Sequence, residues 1–283
     1  MAKRKTEPTL GIALSGGIAF CVGHIGVLKA IDAAGLRISR IAGTSGGAVV
    51  GACYAAGVPL ERIAMAAAQL KWRRIAAPKV PRLGFFSSEN IATFMDAETG
   101  GITFDELKIP FRAVAVDLLT GDEVAIEHGD VGQAVRASCT IPGVFEPVSM
   151  DGRLLVDGGL VNKVPVDVVA RMGADIVIAS DVSYKARAER VPKNVMETVL
   201  VALSFIGEDR ARANRQRADF VIYPEMKGLS ALSFTGWHGA IRAGENAARE
   251  VIPAIEEEIR RRSCWWRFGR GRKRTEPCCT GTP

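Results

Sequence analysis

Ser45 sits in Gly43-Thr44-Ser45-Gly46-Gly47, between the lead-in Ile41-Ala42 and the small-residue run Ala48-Val49-Val50-Gly51. The spacing fits G-x-S-x-G. In the strand-to-helix form of that motif the serine lies on a sharp turn that pushes its hydroxyl out at the edge of a sheet, where it can serve as a nucleophile. Gly43 and Gly47 suit the turn because they carry no Cβ to clash. A helix starting directly after Ser45 would aim unpaired N–H groups at the site and favour negative charge developing there. A plain glycine-rich loop can carry the same five residues, so the flanks decide. Ser39 to Thr44 reads as a strand, and Ala48 to Ala56 as a helix closed by Gly57 and Pro59.

A serine nucleophile needs a base. The three histidines are His24, inside the first helical pattern, His128 in a polar turn, and His238 beside Trp237. None stands in a setting that marks a triad member, although spacing alone leaves a histidine triad open. Asp157 is the better candidate. It ends the strand-like Leu154-Leu155-Val156, and Gly158 and Gly159 after it let a second backbone come close. A buried carboxylate beside a serine can orient the hydroxyl and accept its proton. Asp-Gly-Gly is equally a hairpin turn, as Asp151-Gly152 and Gly121-Asp122 are taken to be. Asp117, Asp167, Asp175 and Asp181 also fall near strand ends, and spacing does not choose among them.

The third chemical feature is Ser15-Gly16-Gly17 after the first apolar run. It lacks G-x-G-x-x-G, and it lacks the Gly-Lys-Ser/Thr ending of a phosphate-binding loop. Nucleotide binding is not expected. A turn offering free backbone N–H groups fits an oxyanion hole.

The elements that must hold these residues follow from the apolar pattern. Leu10 to Leu14 does not alternate and reads as a strand buried on both faces. A helix runs from Phe20 to Ala34, with Gly35 as its cap. Two βα units in the first sixty residues imply a parallel sheet with helices on both faces and a site at the strand C-terminal edge. Pro59 to Leu70 reads as a helix. Lys71 to Phe86 reads as an irregular basic and apolar excursion with Trp72, either a lid or a packed loop. A helix capped by Ser87 or Ser88 follows. Phe111–Val116 and Glu123–Glu127 read as a strand pair, Asp130 caps a helix to Ser138, and Cys139 to Pro147 reads as a rigid loop. Pro165 opens a helix to Met172. Asp175–Ser180 and Phe220–Tyr223 are further strands, one long helix spans Asn194 to Arg217, and the last helix spans Trp237 to Arg262.

Four blocks in this order and spacing resemble the patatin-like phospholipase family of bacterial type. They are Leu14-Ser15-Gly16-Gly17 with His24-Ile25-Gly26-Val27-Leu28, Gly43-Thr44-Ser45-Gly46-Gly47, Ser138-Cys139-Thr140-Ile141-Pro142-Gly143-Val144-Phe145, and Asp157-Gly158-Gly159-Leu160-Val161-Asn162. The resemblance covers residues 10–180. It implies a three-layer α/β/α sandwich with a central, mostly parallel sheet. It implies a Ser-Asp dyad without histidine, with Ser45 as nucleophile, Asp157 as base, and the Gly16, Gly17 and Ile18 amides as oxyanion hole. His24 would be structural, and no metal or cofactor would be needed. The family's loop runs Gly-Gly-Gly-x-Arg/Lys-Gly; here Ile18, Phe20 and Cys21 replace the third glycine, the base and the last glycine. A β-branched Ile18 restricts the backbone and crowds the substrate's approach.

The chain has 283 residues and 48% hydrophobic content, enough for a sizeable core. Its net charge is +6, but the eight Lys and Arg between Arg260 and Arg274, with no acid among them, contribute +8 and leave −2 for the rest. That argues against nucleic-acid binding across the body. The six cysteines form no disulfide or zinc framework, which points to a reducing compartment; Cys278-Cys279 is a weak lipidation signal. The expected organisation is a basic disordered lead (1–8), a patatin-like domain (9–262) and a tail (263–283). In the tail, Trp265, Trp266 and Phe268 interleave with arginines, as in a peripheral anchor on the inner face of a membrane. The expected activity is cytoplasmic hydrolysis of phospholipid or other acyl esters. The alternatives are a catalytically weak lipid-binding or regulatory scaffold and an acyltransferase.

Overall fold

The computed structural model describes residues 7–69, 76–78, 83–184, 191–230 and 234–268. Trp72 and the bases around it, the basic lead, Cys278, Cys279 and the tail beyond residue 268 lie outside the described residues, as do the side chains of Trp265, Trp266 and Phe268. The first two units are as expected. β1 (Leu10–Leu14) leads through a 3₁₀ turn (Ile18–Cys21) into α1 (Val22–Ala33), and β2 (Ile38–Thr44) leads through Ser45 into α2 (Gly46–Ala56) and then α3 (Leu60–Gln69). Next come β3 (Ala77–Pro78), β4 (Gly84–Ser87), α4 (Glu89–Thr99), the hairpin of β5 (Phe111–Asp117) and β6 (Glu123–Ile126), and α5 (Val131–Ser138). Asp130 caps α5 by accepting the Gln133 N–H at 2.7 Å. The chain continues through β7 (Gly143–Phe145), β8 (Val148–Met150), β9 (Arg153–Asp157), α6 (Val166–Arg171), β10 (Ile176–Ser180), α7 (Val195–Ser204), α8 (Glu208–Arg217), β11 (Phe220–Ile222) and α9 (Trp237–Phe268).

The central sheet follows the path β11-β10-β1-β2-β5, all parallel, with β6 antiparallel on the far side of β5. Helices cover both faces, and β1 and β10 are buried along their whole length, which is why they read as unbroken apolar runs. This is the mostly parallel α/β architecture expected from the sequence. A second sheet joins β3, β4 and β7. Part of the supposed irregular excursion and part of the supposed rigid loop after Cys139 are therefore strands that pair with each other, Gly84 opposite Gly143 and Phe86 opposite Phe145.

Two helical boundaries differ from the sequence expectation. The long helix from Asn194 to Arg217 is two helices, broken where Gly207 takes φ 76°. The last helix does not stop at Arg262 but runs on to Phe268.

Register settles the geometry of the site. β2 pairs with β5 as far as Thr44 opposite Val114. β9 pairs with β5 from Ala115, opposite Asp157, onwards and runs the other way. Since β6 occupies the remaining side of β5 over Ala113–Val116, β2 and β9 share one side. Their C-terminal ends meet head to head at Val114-Ala115, so the residue after Thr44 runs directly into Asp157.

Candidate active site

Ser45 is the elbow of the first of those ends. It adopts φ 53°, ψ −125°, outside the conformations that a side chain tolerates without strain, at a cost of about 1–3 kcal/mol. The surroundings enforce it. The Ser45 N–H donates to Ser138 Oγ at 2.9 Å, and that hydroxyl donates to the Val114 carbonyl at 2.6 Å. The Ser45 carbonyl starts α2 by accepting the Ala48 N–H at 2.8 Å. A Cβ on Gly47 would run into the carbonyls of Leu14 and Ser15, and one on Gly43 into the backbone of Gly47 and Ala48. The motif glycines are thus required by close approach, which keeps the elbow tight against β1.

Asp157 is held from the other side. Its N–H donates to the Thr140 carbonyl at 2.8 Å, and its Oδ1 accepts the Gly159 N–H at 2.7 Å. Gly158 must be glycine because a Cβ there would strike the Val114 carbonyl. Asn162 anchors the turn. Its carbonyl accepts the Thr44 hydroxyl at 2.8 Å, and its buried side chain bonds Glu123, Asp167 and Asn214 at 2.6, 2.8 and 2.9 Å. The turn bearing the acid is thereby tied to the strand bearing the serine. Burial raises the Asp157 carboxyl from 3.8 to about 6, against the opposing pull of the Ser45 hydroxyl, the Gly159 N–H and the Lys163 charge. Asp157 is therefore a carboxylate near neutrality that holds a proton more readily than a solvated one, which is what a general base requires.

The other candidate acids are committed elsewhere. Asp181 pairs with buried Arg215 at 2.8 Å. Asp167 pairs with Arg171 and Arg210 at 3.0 and 2.9 Å. Asp175 accepts the Thr9 N–H at 2.8 Å, and Asp117 accepts the Leu119 N–H at 3.0 Å. His24 is wholly buried: its Nε2–H donates to the Ser15 carbonyl at 2.9 Å, its Nδ1 lies 2.8 Å from Ser180 Oγ, and burial lowers its pKa to about 4. It stays neutral and braces β1 against β10. His128 is exposed and His238 stacks on Trp237. The thiols of Cys21 and Cys53 are pushed up to about 12 by burial, and that of Cys139 is raised for the same reason, so none is a thiolate nucleophile.

The loop expected to hold the oxyanion differs in one respect from that expectation. The Gly16 N–H donates to the Lys163 carbonyl at 3.0 Å, so that amide is occupied and is not a donor to substrate. The Gly17 and Ile18 amides have no acceptor among the described residues. Ile18 stands at φ 47°, so the loop keeps a conformation that suits glycine even with a β-branched side chain in it. The sequence also concealed Ser138 and Asn162 as structural partners of the two elbows. Both stand in conspicuous blocks, but their partners are 93 and 118 residues away, a relation that spacing does not display.

The patatin-like phospholipase family matches residues 12–170, more than half of the chain. The chain belongs to that family. Among patatin-like relatives, an uncharacterised NTE family protein of Mycobacterium tuberculosis is 40% identical over 177 residues, 62% of this chain and 49% of the relative. Neuropathy target esterase of Drosophila melanogaster is 30% identical over 190 residues, 64% of this chain and 13% of that protein. The chain spans about half the length of the mycobacterial relatives. Among solved structures, VipD from Legionella pneumophila superposes with a TM-score of 0.53 at 12% identity, covering 88% of this chain and 67% of that one. The type III effector ExoU gives 0.50 at 12%, covering 91% and 53%. These two likenesses concern the patatin-like fold.

Proposed function

We propose that the protein is a serine hydrolase of lipid acyl esters, with Ser45 as nucleophile and Asp157 as its base. The observation that carries this is the head-to-head meeting of β2 and β9, which sets a strained serine against a buried acid whose pKa is raised to about 6. In the first half-reaction Ser45 Oγ attacks the ester carbonyl carbon and its proton passes to Asp157. The Gly17 and Ile18 amides receive the negative charge on the carbonyl oxygen. The C–O bond to the alcohol then breaks, and the departing oxygen takes the proton from Asp157. Water repeats the sequence on the acyl-enzyme and frees the fatty acid. Each oxyanion donor is worth about 3–4 kcal/mol of barrier.

Loss of Gly16 as a donor leaves two amides, and Ile18 presents one of them without glycine's freedom. Both features favour a slow enzyme over a fast one. Fatty-acid release from phospholipid vesicles by the wild type, Ser45→Ala and Asp157→Asn is the test, alongside fluorophosphonate labelling. Both variants should lose about 10⁴-fold, and label should be captured at Ser45. Labelling without hydrolysis would favour transfer of the acyl group to another alcohol. Neither labelling nor hydrolysis would leave a lipid-binding scaffold.

A further inference from the structure

Several large apolar side chains left in water follow the C-terminal ends of β5, β10 and β11. β5 runs on past the level of Ser45, and the chain beyond it exposes Leu118 and Leu119, the latter 77% exposed. Four residues of strand place that tip about 13 Å beyond Val114. Tyr184 and Tyr223, exposed and in tilted ring contact with each other, follow β10 and β11 at the same C-terminal edge. Between them in sequence stands α7, whose ten residues read VMETVLVALS. It is an apolar helix with no buried residue among those described, and Val195 is 81% exposed. Phe205 and Ile206 follow, also exposed.

α7 is nevertheless fixed to the active site. The Lys163 ammonium donates to the Ser204 carbonyl at 2.6 Å. Gly207 lies so close to the turn after Asp157 that a Cβ there would stand 2.9 Å from the Gly159 carbonyl. A helix of this composition normally buries one face, and exposed apolar residues on such a helix mark a contact surface.

We propose that α7, with Phe205 and Ile206 behind it and Leu118 and Leu119 at the tip beyond β5, is a docking face for a lipid surface. The proposal rests on the reading of Ser45 and Asp157 as a lipid acyl hydrolase. α7 is tied to the turn that carries Asp157, so a lipid layer seated on it would lie beside the residues that hydrolyse it. The sequence leading into α7 carries Lys185, Arg187, Arg190 and Lys193 against one acid, Glu189, a balance that suits an anionic headgroup layer.

The end of α9 lies elsewhere. Near its end α9 is held where Arg262 bonds the Asp175 carbonyl and Asp219, the residues just before β10 and β11. That is the opposite edge of the sheet, about 17 Å away along five residues of strand. The helix continues from there to Phe268, away from Ser45. A surface bound only at that end would face the wrong side of the molecule.

Flotation of the full chain with vesicles of phosphatidylcholine and phosphatidylglycerol tests this. Every variant is made in a Ser45→Ala background, so binding is read without turnover. Val195→Asp, Phe205→Ser and Leu119→Ser should each weaken binding roughly ten- to hundredfold, while replacing Trp265 and Trp266 by Ser should leave it unchanged. The three sites lie on separate segments, so misfolding of one variant, detected by circular dichroism, leaves two. Parent-like binding by the three variants, loss of binding in the tryptophan variant, or no binding by the parent overturns the proposal. So does a dimer, seen by light scattering, that Val195→Asp splits, because a second copy would then be the occupant. Binding without hydrolysis by the wild type would remove the enzymatic reading and leave the docking face standing.

Discussion

Asp157→Asn should make the protein more stable while making it inactive. The folded protein holds the Asp157 proton to about pH 6, against 3.8 for the unsupported side chain. A group with a raised folded pKa binds its proton more tightly in the native state. Its contribution is therefore most favourable below about pH 4, declines as pH rises from about 4 to 6, and is a constant penalty above that. At 1.36 kcal/mol per pH unit the gap amounts to about 3 kcal/mol. An asparagine keeps the shape and can still accept the Gly159 N–H, but it carries no charge to bury. At pH 8 the variant should therefore unfold about 3 kcal/mol harder, or about 6–12 °C higher, than the wild type. At pH 4 the two should coincide. Urea unfolding followed by circular dichroism across this range reads the difference. Wild-type kcat/KM on a dispersed ester should rise about tenfold per pH unit up to roughly pH 6 and then level, since only the carboxylate is the base. A variant no more stable at pH 8 than the wild type, or an activity limb with its midpoint near 4, would refute the argument that burial tunes this acid.

Ser138→Ala leaves the Ser45 N–H and the Val114 carbonyl without their partner. It should cost about 2–4 kcal/mol of stability in urea unfolding and slow fluorophosphonate capture at Ser45. Ile18→Gly removes a β-branched residue from φ 47°. It should raise stability by about 1 kcal/mol net of glycine's entropy without lowering kcat/KM. A loss of more than that in thermal unfolding would mean that Ile18 packing, not strain, dominates there.

Much of this architecture is written locally. Leu10–Leu14 and Ile176–Ser180 read as buried strands because both of their faces are covered, and Asp130 announced its helix by chemistry that acts three residues away. What escaped depends on distant partners. The pairing of Phe86 with Phe145 joins two segments that look irregular alone. Gly207 sits inside an unbroken helical pattern, and its positive φ follows from its seat on Gly159 and Leu160. Ser45 and Asp157 were legible as residues. The fact that they terminate opposed strands on one side of β5 was not, because nothing in either segment states its direction relative to the other. Likewise, the Gly16 amide reads as free until Lys163, 147 residues later, is seen to take it.

The family match ends at residue 170, after every candidate catalytic residue, but β10 begins at Ile176 and lies directly against β1 along all five of its positions. A protein shortened to the matched stretch would keep its complete chemical inventory. It would also present β1, apolar on both faces, as a bare edge strand, and would lose the Ser180 carbonyl that receives the Ser15 N–H ahead of the Gly16-Gly17 loop. Such an edge is a template for aggregation. The shortest piece worth expressing is set by who pairs with β1, not by where the recognisable motifs stop.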